Sequence, residues 1–358
     1  MVDGHEDLAW NALTFGRDYL QPAWATRRRE SGGGVPSQNG QATLGFAEWL
    51  LGRIAVVFAT LFASPIRRKR GAWDTLCYAT PSEARELYLR EWDYYRRWLE
   101  ESRDRLQLIA TRDDLEAVRS SWAGEDLSGR RIGFVLLMEG AEGILEPEEV
   151  EQWYERGVRI LGPAWAGNQY CGGTREPGPL TPDGRRLLEA MAPFRLILDL
   201  SHMAEESFFA AVDLYPGPLA ASHSNARALL RGSPAPDRHL SAEMIRALSE
   251  RGGVVGVVAY NAFLKGGWTL SEGKSAVSLS RLCDQVDYVC QITGDADHVG
   301  LGSDLDGGFG WEAVPAEMDT AADLLQLDAL LQVRGYPEAD RRNILGDNWT
   351  RLLRTALP

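Results

Sequence analysis

Apolar residues fall in short continuous runs along this chain, and the stretches between the runs carry helical periodicity. Runs at residues 1–5, 55–62, 132–138, 158–165, 195–201, 219–222, 254–259 and 298–302 read as β-strands. Consecutive rather than alternating apolar positions suit parallel strands covered on both faces. Helices are predicted over residues 82–102, 148–156, 241–250, 280–292 and 321–333. Pro147 opens one of them, and the Gly252–Gly253 pair stops another.

Strand–helix alternation along the whole chain means an α/β fold with a parallel sheet. Eight strands in 358 residues fit a closed (β/α)8 TIM barrel. It is expected to form one domain over residues 1–358, with loop insertions at about 11–50 and 65–110. A doubly wound open sheet is the alternative, but no Gly-x-Gly-x-x-Gly turn follows an early strand. A further β-like run, 106–110, reads as a peripheral ninth strand, and the polar stretch 30–41 reads as a mobile surface loop. No internal repeat or long linker divides the chain.

Composition narrows the function classes. A net charge of -13 disfavours nucleic acid and anionic membrane as partners, since both would repel the protein. Cys77, Cys171, Cys283 and Cys290 form no Cys-x-x-Cys pair and read as structural thiols in a reducing compartment. The opening MVDGHEDLAW lacks the basic and apolar regions of a secretory signal. The most apolar stretch, 54–62, is far below the roughly 20 residues that span a bilayer. A cytoplasmic protein is therefore expected.

Five histidines occur, and three of them, His5, His202 and His223, stand at the C-terminal ends of predicted strands. Barrel active sites form on that face. In an extended segment His5 and Asp7 point to the same side and can share one metal ion. Glu139 follows directly on the apolar run FVLLM, where an unpaired charge is costly and a divalent cation would relieve the cost. Three histidines and two carboxylates thus converge on one rim. Asp304 ends the last strand, where barrel hydrolases often keep a proton-transfer carboxylate. Asp306 reads as a turn residue, and the D-L-D-G-G string lacks the other positions of a calcium loop. His239 and His298 read as structural.

The segments DGHEDL, MEG, DLSH, SHSNARAL, Arg238-to-Ser241, RGGVVGV, HVGLGSDLDG and ILGDNWTRLL occur in the order seen in peptidase family M19, the membrane (renal) dipeptidases. The chain resembles that family from Asp3 to Leu353. The resemblance implies a binuclear zinc hydrolase on a (β/α)8 barrel. His5 and Asp7 would bind one zinc, His202 and His223 the other, and Glu139 would bridge them. Asp304 would be the acid/base, and Arg238 would hold the substrate's carboxylate. Two cations sharing a water lower its pKa from 15.7 to about 7, which supplies hydroxide at neutral pH.

One position departs from the family. Where its members usually carry a substrate-contacting histidine, this chain has Trp165, whose indole N–H donates one hydrogen bond but carries no charge. Asn168 is the expected replacement donor. The expected activity is hydrolysis of dipeptides or similar small N-acyl amino acids. A non-peptide amide or lactam, or a metal-bound binding protein without catalysis, stays open. Partners are then a small dipeptide-like substrate and no nucleic acid or membrane. The aromatic helix around Trp92, Tyr94, Tyr95 and Trp98 suits either a homodimer contact or packing on its own barrel.

Overall fold

The protein is described by a computed structural model covering residues 1–124 and 127–358. Eight strands form the barrel: β1 (Val2–Glu6), β2 (Val56–Phe62), β3 (Ile132–Glu139), β4 (Val158–Gly162), β5 (Ile197–Asp199), β6 (Leu219–Ala221), β7 (Val254–Val257) and β8 (Val299–Leu301). Their order is β2-β1-β8-β7-β6-β5-β4-β3, every pairing is parallel, and β3 pairs back onto β2 to close the ring. This is a (β/α)8 TIM barrel. Every residue of these strands is buried, which explains the continuous apolar runs.

The expected strands run longer than the observed ones from β4 to β8, where the chain leaves the parallel ladder early. The peripheral ninth strand is Leu106–Leu108, which lies parallel to the first half of β3. Past Leu136 the register of β3 shifts and β4 takes over as its neighbour. Three glycines let the interior close tightly under the rim. A Cβ on Gly256 or Gly302 would stand 1.9 or 1.8 Å from the carbonyl oxygen of Ser222, and one on Gly4 would stand 2.8 Å from it. Any larger residue there would push β1, β7 and β8 away from β6.

Helices cover the outside. Pro81–Glu101 starts at a reciprocal cap between Thr80 and Glu83 and buries Leu87, Tyr88, Glu91, Tyr95 and Trp98 against the barrel. Its aromatic residues therefore face the protein's own core, with Trp98 stacked on Phe134 at 5.2 Å. The predicted helix over 321–333 is two pieces, a 3-10 turn Ala321–Leu325 and a helix Gln326–Val333.

The stretch 30–41 is not the free surface loop expected of its polarity. It contains the helix Val35–Asn39, and Asn39 is buried with its amide 2.7 Å from Asn11 Oδ1. Gln41 is tied through backbone and side chain to Glu312. Glycines at 32–34 supplied the loop-like signal, while the anchors lie far away in sequence.

Candidate metal centre and active site

The rim gathers side chains from four strand ends. His5 Nε2 lies 3.7 Å from Asp7 Oδ1 and 3.6 Å from Glu139 Oε2. His202 Nε2 and His223 Nε2 lie 3.1 and 3.2 Å from the other oxygen, Oε1, and 3.0 Å from each other. Glu139 thus turns one oxygen to the His5–Asp7 pair and the other to the His202–His223 pair. His5, Asp7, Glu139 and His223 are all buried.

Residues behind the cluster fix its geometry. Ser222 Oγ donates to Asp199 Oδ2 at 2.6 Å and lies 2.8 Å from His223 Nδ1. A hydroxyl has one proton, so once it is given to Asp199 the serine accepts from Nδ1–H, and Nε2 keeps its lone pair toward the centre. Thr174 Oγ1 stands 3.0 Å from His202 Nδ1, and Thr60 Oγ1 donates to Asp7 Oδ1 at 2.5 Å. His5 stacks on His223 with ring centroids 3.5 Å apart.

These donors fit metal ions. His5 Nε2 is buried without a hydrogen-bond partner, and two further Nε2 atoms face one carboxylate oxygen. Protons satisfy such an arrangement poorly, whereas cations with nitrogen and oxygen ligands satisfy it well. Three groups of side chains converge closely enough to ligate: His5 with Asp7 and Glu139, Glu139 with His202 and His223, and His5 with His223 and Asp304.

The charges without an ion point the same way. Burial, then Arg238, lowers His202 to about 4, and burial, then His5, pushes His223 well below the usual imidazole range. Both therefore favour the neutral form, the one in which an imidazole can bind a metal ion. Burial opposes charge on His5 too, but Glu139, Asp7 and Asp304 outweigh it and raise it to about 10. Glu139 resists burial through His5 and the other two imidazoles, and stays well below the carboxylate range. Burial raises Asp7 to about 6 and Asp304 well above its ordinary value. Bound cations would supply the positive charge these carboxylates lack.

The cluster floors a cavity of about 340 Å³ lined by Trp10, Phe62, Trp165, Tyr260, Phe263, Phe309 and several charged residues. Asp304 lines it too, in the left-handed region at φ 59°, with its backbone N–H on the carbonyl of His5 at 3.2 Å. His202 is also left-handed, at φ 65°. Conformations of this kind cost about 1–3 kcal/mol and persist where surrounding contacts enforce them. Arg238, buried, enters from the loop after β6 and holds Ser224 Oγ at 3.1 Å and the His223 carbonyl at 2.7 Å. Five guanidinium donors leave some free for a ligand.

Trp165 stands in the cavity wall, its ring 5.3 Å from Phe62 and 6.0 Å from His202. Asn168 is not the replacement donor expected beside it. Its amide donates to Pro163 O at 2.7 Å, and its Oδ1 accepts from the backbone of Tyr170 and Cys171. It shapes the loop after β4 and is absent from the cavity lining. His239 packs against Phe263, and His298 bonds the Gly253 carbonyl at the start of β8, away from the rim.

Asp306 is more than a turn residue. It is fully buried, pairs with Arg17 at 3.0 Å, and accepts from Thr43 N and Oγ1 and from Tyr19. It anchors the insertion after β1. Sequence reasoning also missed Thr60, Ser222, Asp199 and Thr174. Thr60 and Asp199 had a signal, each being a polar residue inside a strand buried on both faces. Thr174 had none, because it comes from the short hairpin of Cys171–Gly173 and Glu176–Leu180.

The family model for membrane dipeptidases (peptidase family M19) matches residues 1–357. A Klebsiella pneumoniae protein, described as an uncharacterized protein in the pqqA 5′ region, is 34% identical over 71% of this chain and 90% of its own length. Among solved structures, the M19 metallopeptidase called dipeptidase AC superposes with a TM-score of 0.79, covering 99% of this chain and 98% of that one at 24% identity. A Rhodobacter sphaeroides metallopeptidase bound to a phosphinate mimic of L-Ala-D-Ala gives 0.79 over the same shares at 23% identity. At these identities the structures show a shared fold.

Proposed function

Since the chain belongs to the membrane dipeptidase family M19 and is a metallopeptidase of that kind, we propose that it hydrolyses the amide bond of dipeptides or similar small N-acyl amino acids with two zinc ions. The observation that carries this reading is Glu139, whose two oxygens face separate ligand pairs. His5 and Asp7 would hold one ion and His202 and His223 the second, with Glu139 between them. Imidazole and carboxylate together suit zinc. Such a pair of cations lowers the pKa of a shared water toward neutrality and polarises a scissile carbonyl.

The chain's own residues do the rest. Asp304 takes a proton from the attacking water and returns it to the leaving amine nitrogen, a role worth about 10²–10⁴ in rate. Its freedom supports this: its carboxylate makes no hydrogen bond among the described residues, unlike the fully engaged Asp306. Arg238 grips the C-terminal carboxylate and so selects short free acids over longer chains. Ser222, Thr174 and Thr60 hold His223, His202 and Asp7 in their ligating orientations. Phe62 and Trp165 keep water from the reacting bond.

The bulk of Trp165 supports a second reading, in which the substrate is a non-dipeptide amide or lactam. Purified protein assayed on L–L and L–D dipeptides and on blocked amides, with and without added zinc, separates the two. Zinc-dependent turnover of free dipeptides is expected. Turnover of blocked amides alone would favour the second reading, and two bound ions with no turnover of any amide would make the protein a binder.

A further inference from the structure

The loop after β2 brings a second acidic group to the cavity, away from the ligand cluster. Asp74 is 2% exposed and lines the cavity beside Trp10, Arg70 and Gly308. Its Oδ2 accepts from the backbone N–H of Arg70 at 3.1 Å, which closes a tight turn. Its Oδ1 is buried and has no hydrogen-bond partner. The nearest candidate cation turns elsewhere: the Arg70 guanidinium donates to Gly308 O at 3.0 Å and lies over the Trp73 ring at 5.5 Å. Among the other cavity arginines, Arg68 is paired with Glu176, Arg238 with Ser224 and His223, and Arg175 belongs to the hairpin after β4 with its backbone N–H on Asp237.

A buried carboxylate oxygen with no donor is expensive, and ligand-free active sites are where such a cost is tolerated. Position says which part of a ligand it meets. Arg238 follows β6, whereas Asp74 follows β2, and its loop is tied by Arg70 to Gly308 after β8. In the ring order β6 and β2 stand four strands apart, so the loops that carry the two residues rise from opposite sides of the barrel mouth. A substrate whose carboxylate sits on Arg238 extends its N-terminal half toward Asp74.

We propose that Asp74 receives a primary ammonium on the N-terminal half of the substrate and is the residue that makes this enzyme require a positive charge there. The proposal rests on the dipeptidase reading above. An ionised carboxylate only accepts, and an ammonium brings three donors, so the pair completes the hydrogen bonding of Oδ1. Anion recognition at one end and cation recognition at the other match a zwitterionic dipeptide. The ammonium comes from the α-amine or from a basic side chain, and the two are separable by probe design.

The test is calorimetric binding of phosphinate dipeptide mimics to zinc-loaded protein. Three probes serve: a free-amine alanyl mimic, its N-acetyl form, and an N-acetyl mimic with a lysine side chain. Wild type is expected to bind one of the amine-bearing probes at least tenfold tighter than the N-acetyl alanyl form. Asp74→Asn keeps an acceptor for Arg70 N, and is expected to erase that ratio while binding the N-acetyl alanyl probe as wild type does. The identity of the favoured probe names the source of the ammonium. An unchanged ratio in Asp74→Asn, or equal loss for all three probes, would overturn the proposal and leave the dipeptidase reading standing. Wild-type protein that binds none of the probes would remove both.

Discussion

The strand ends and the loops above them are built to different standards. At the strand ends the residues proposed as ligands are held from behind, His223 by Ser222 and Asp7 by Thr60 at the rim, with His202 alone held by a loop residue, Thr174. In the loops, Trp165 rests on other rings, and Asp74 keeps a carboxylate oxygen unpartnered. The difference separates what must not move from what must accept a partner. Metal ligation needs fixed lone pairs, so the rigid barrel supplies it. Substrate recognition tolerates variation, so loops supply it.

The largest effect should come from Asp304, whose carboxylate makes no hydrogen bond among the described residues. Asp304→Asn keeps the left-handed backbone, which asparagine adopts readily, and removes only the proton carrier. Turnover should fall by about 10²–10⁴ while metal content, measured by mass spectrometry, stays at the wild-type value. Loss of metal instead would move Asp304 into the ligand set and blur the contrast with the strand ends.

Asp306, two residues on, sharpens the comparison from the opposite side. Asp306→Ala removes one of the two carboxylates paired with buried Arg17 and leaves Glu30 as the other, so the cost should stay below the about 3–5 kcal/mol of a buried pair broken outright. Denaturant unfolding should show that loss, with the metal content of the folded protein unchanged. A stability within experimental error of wild type would mean that the insertion after β1 is held by other contacts.

The smallest expected effect concerns specificity. Trp165→His should raise kcat/KM on simple dipeptides severalfold, if the indole is what narrows the cavity. No change, or a fall, measured on the same dipeptide panel would show that the tryptophan itself contributes to binding.

Legibility in the sequence follows the same division. The barrel was readable because strands buried on both faces leave unbroken apolar runs, and the side chains that converge at the rim stood out because a charge at the end of such a run is conspicuous. Glu139 after FVLLM is the clearest case. Asp306 was misjudged because its partners Arg17 and Thr43 lie far away in sequence, while Asn168 holds the amides of Tyr170 and Cys171 in a local turn that was open to reading. Residues 30–41 misled for a related reason: glycines advertise a free loop, while Asn39 and Gln41 find anchors at Asn11 and Glu312. Asp74 gave no signal, since an aspartate in a polar loop is ordinary until its burial is known.

The whole account depends on Glu139 standing between two cations, and equilibrium metal content tests that directly. Zinc-loaded wild type, dialysed and measured by inductively coupled plasma mass spectrometry, should hold two equivalents per chain, and Glu139→Ala at most one. A wild type that holds a single equivalent, or a Glu139→Ala variant that keeps both, would contradict it.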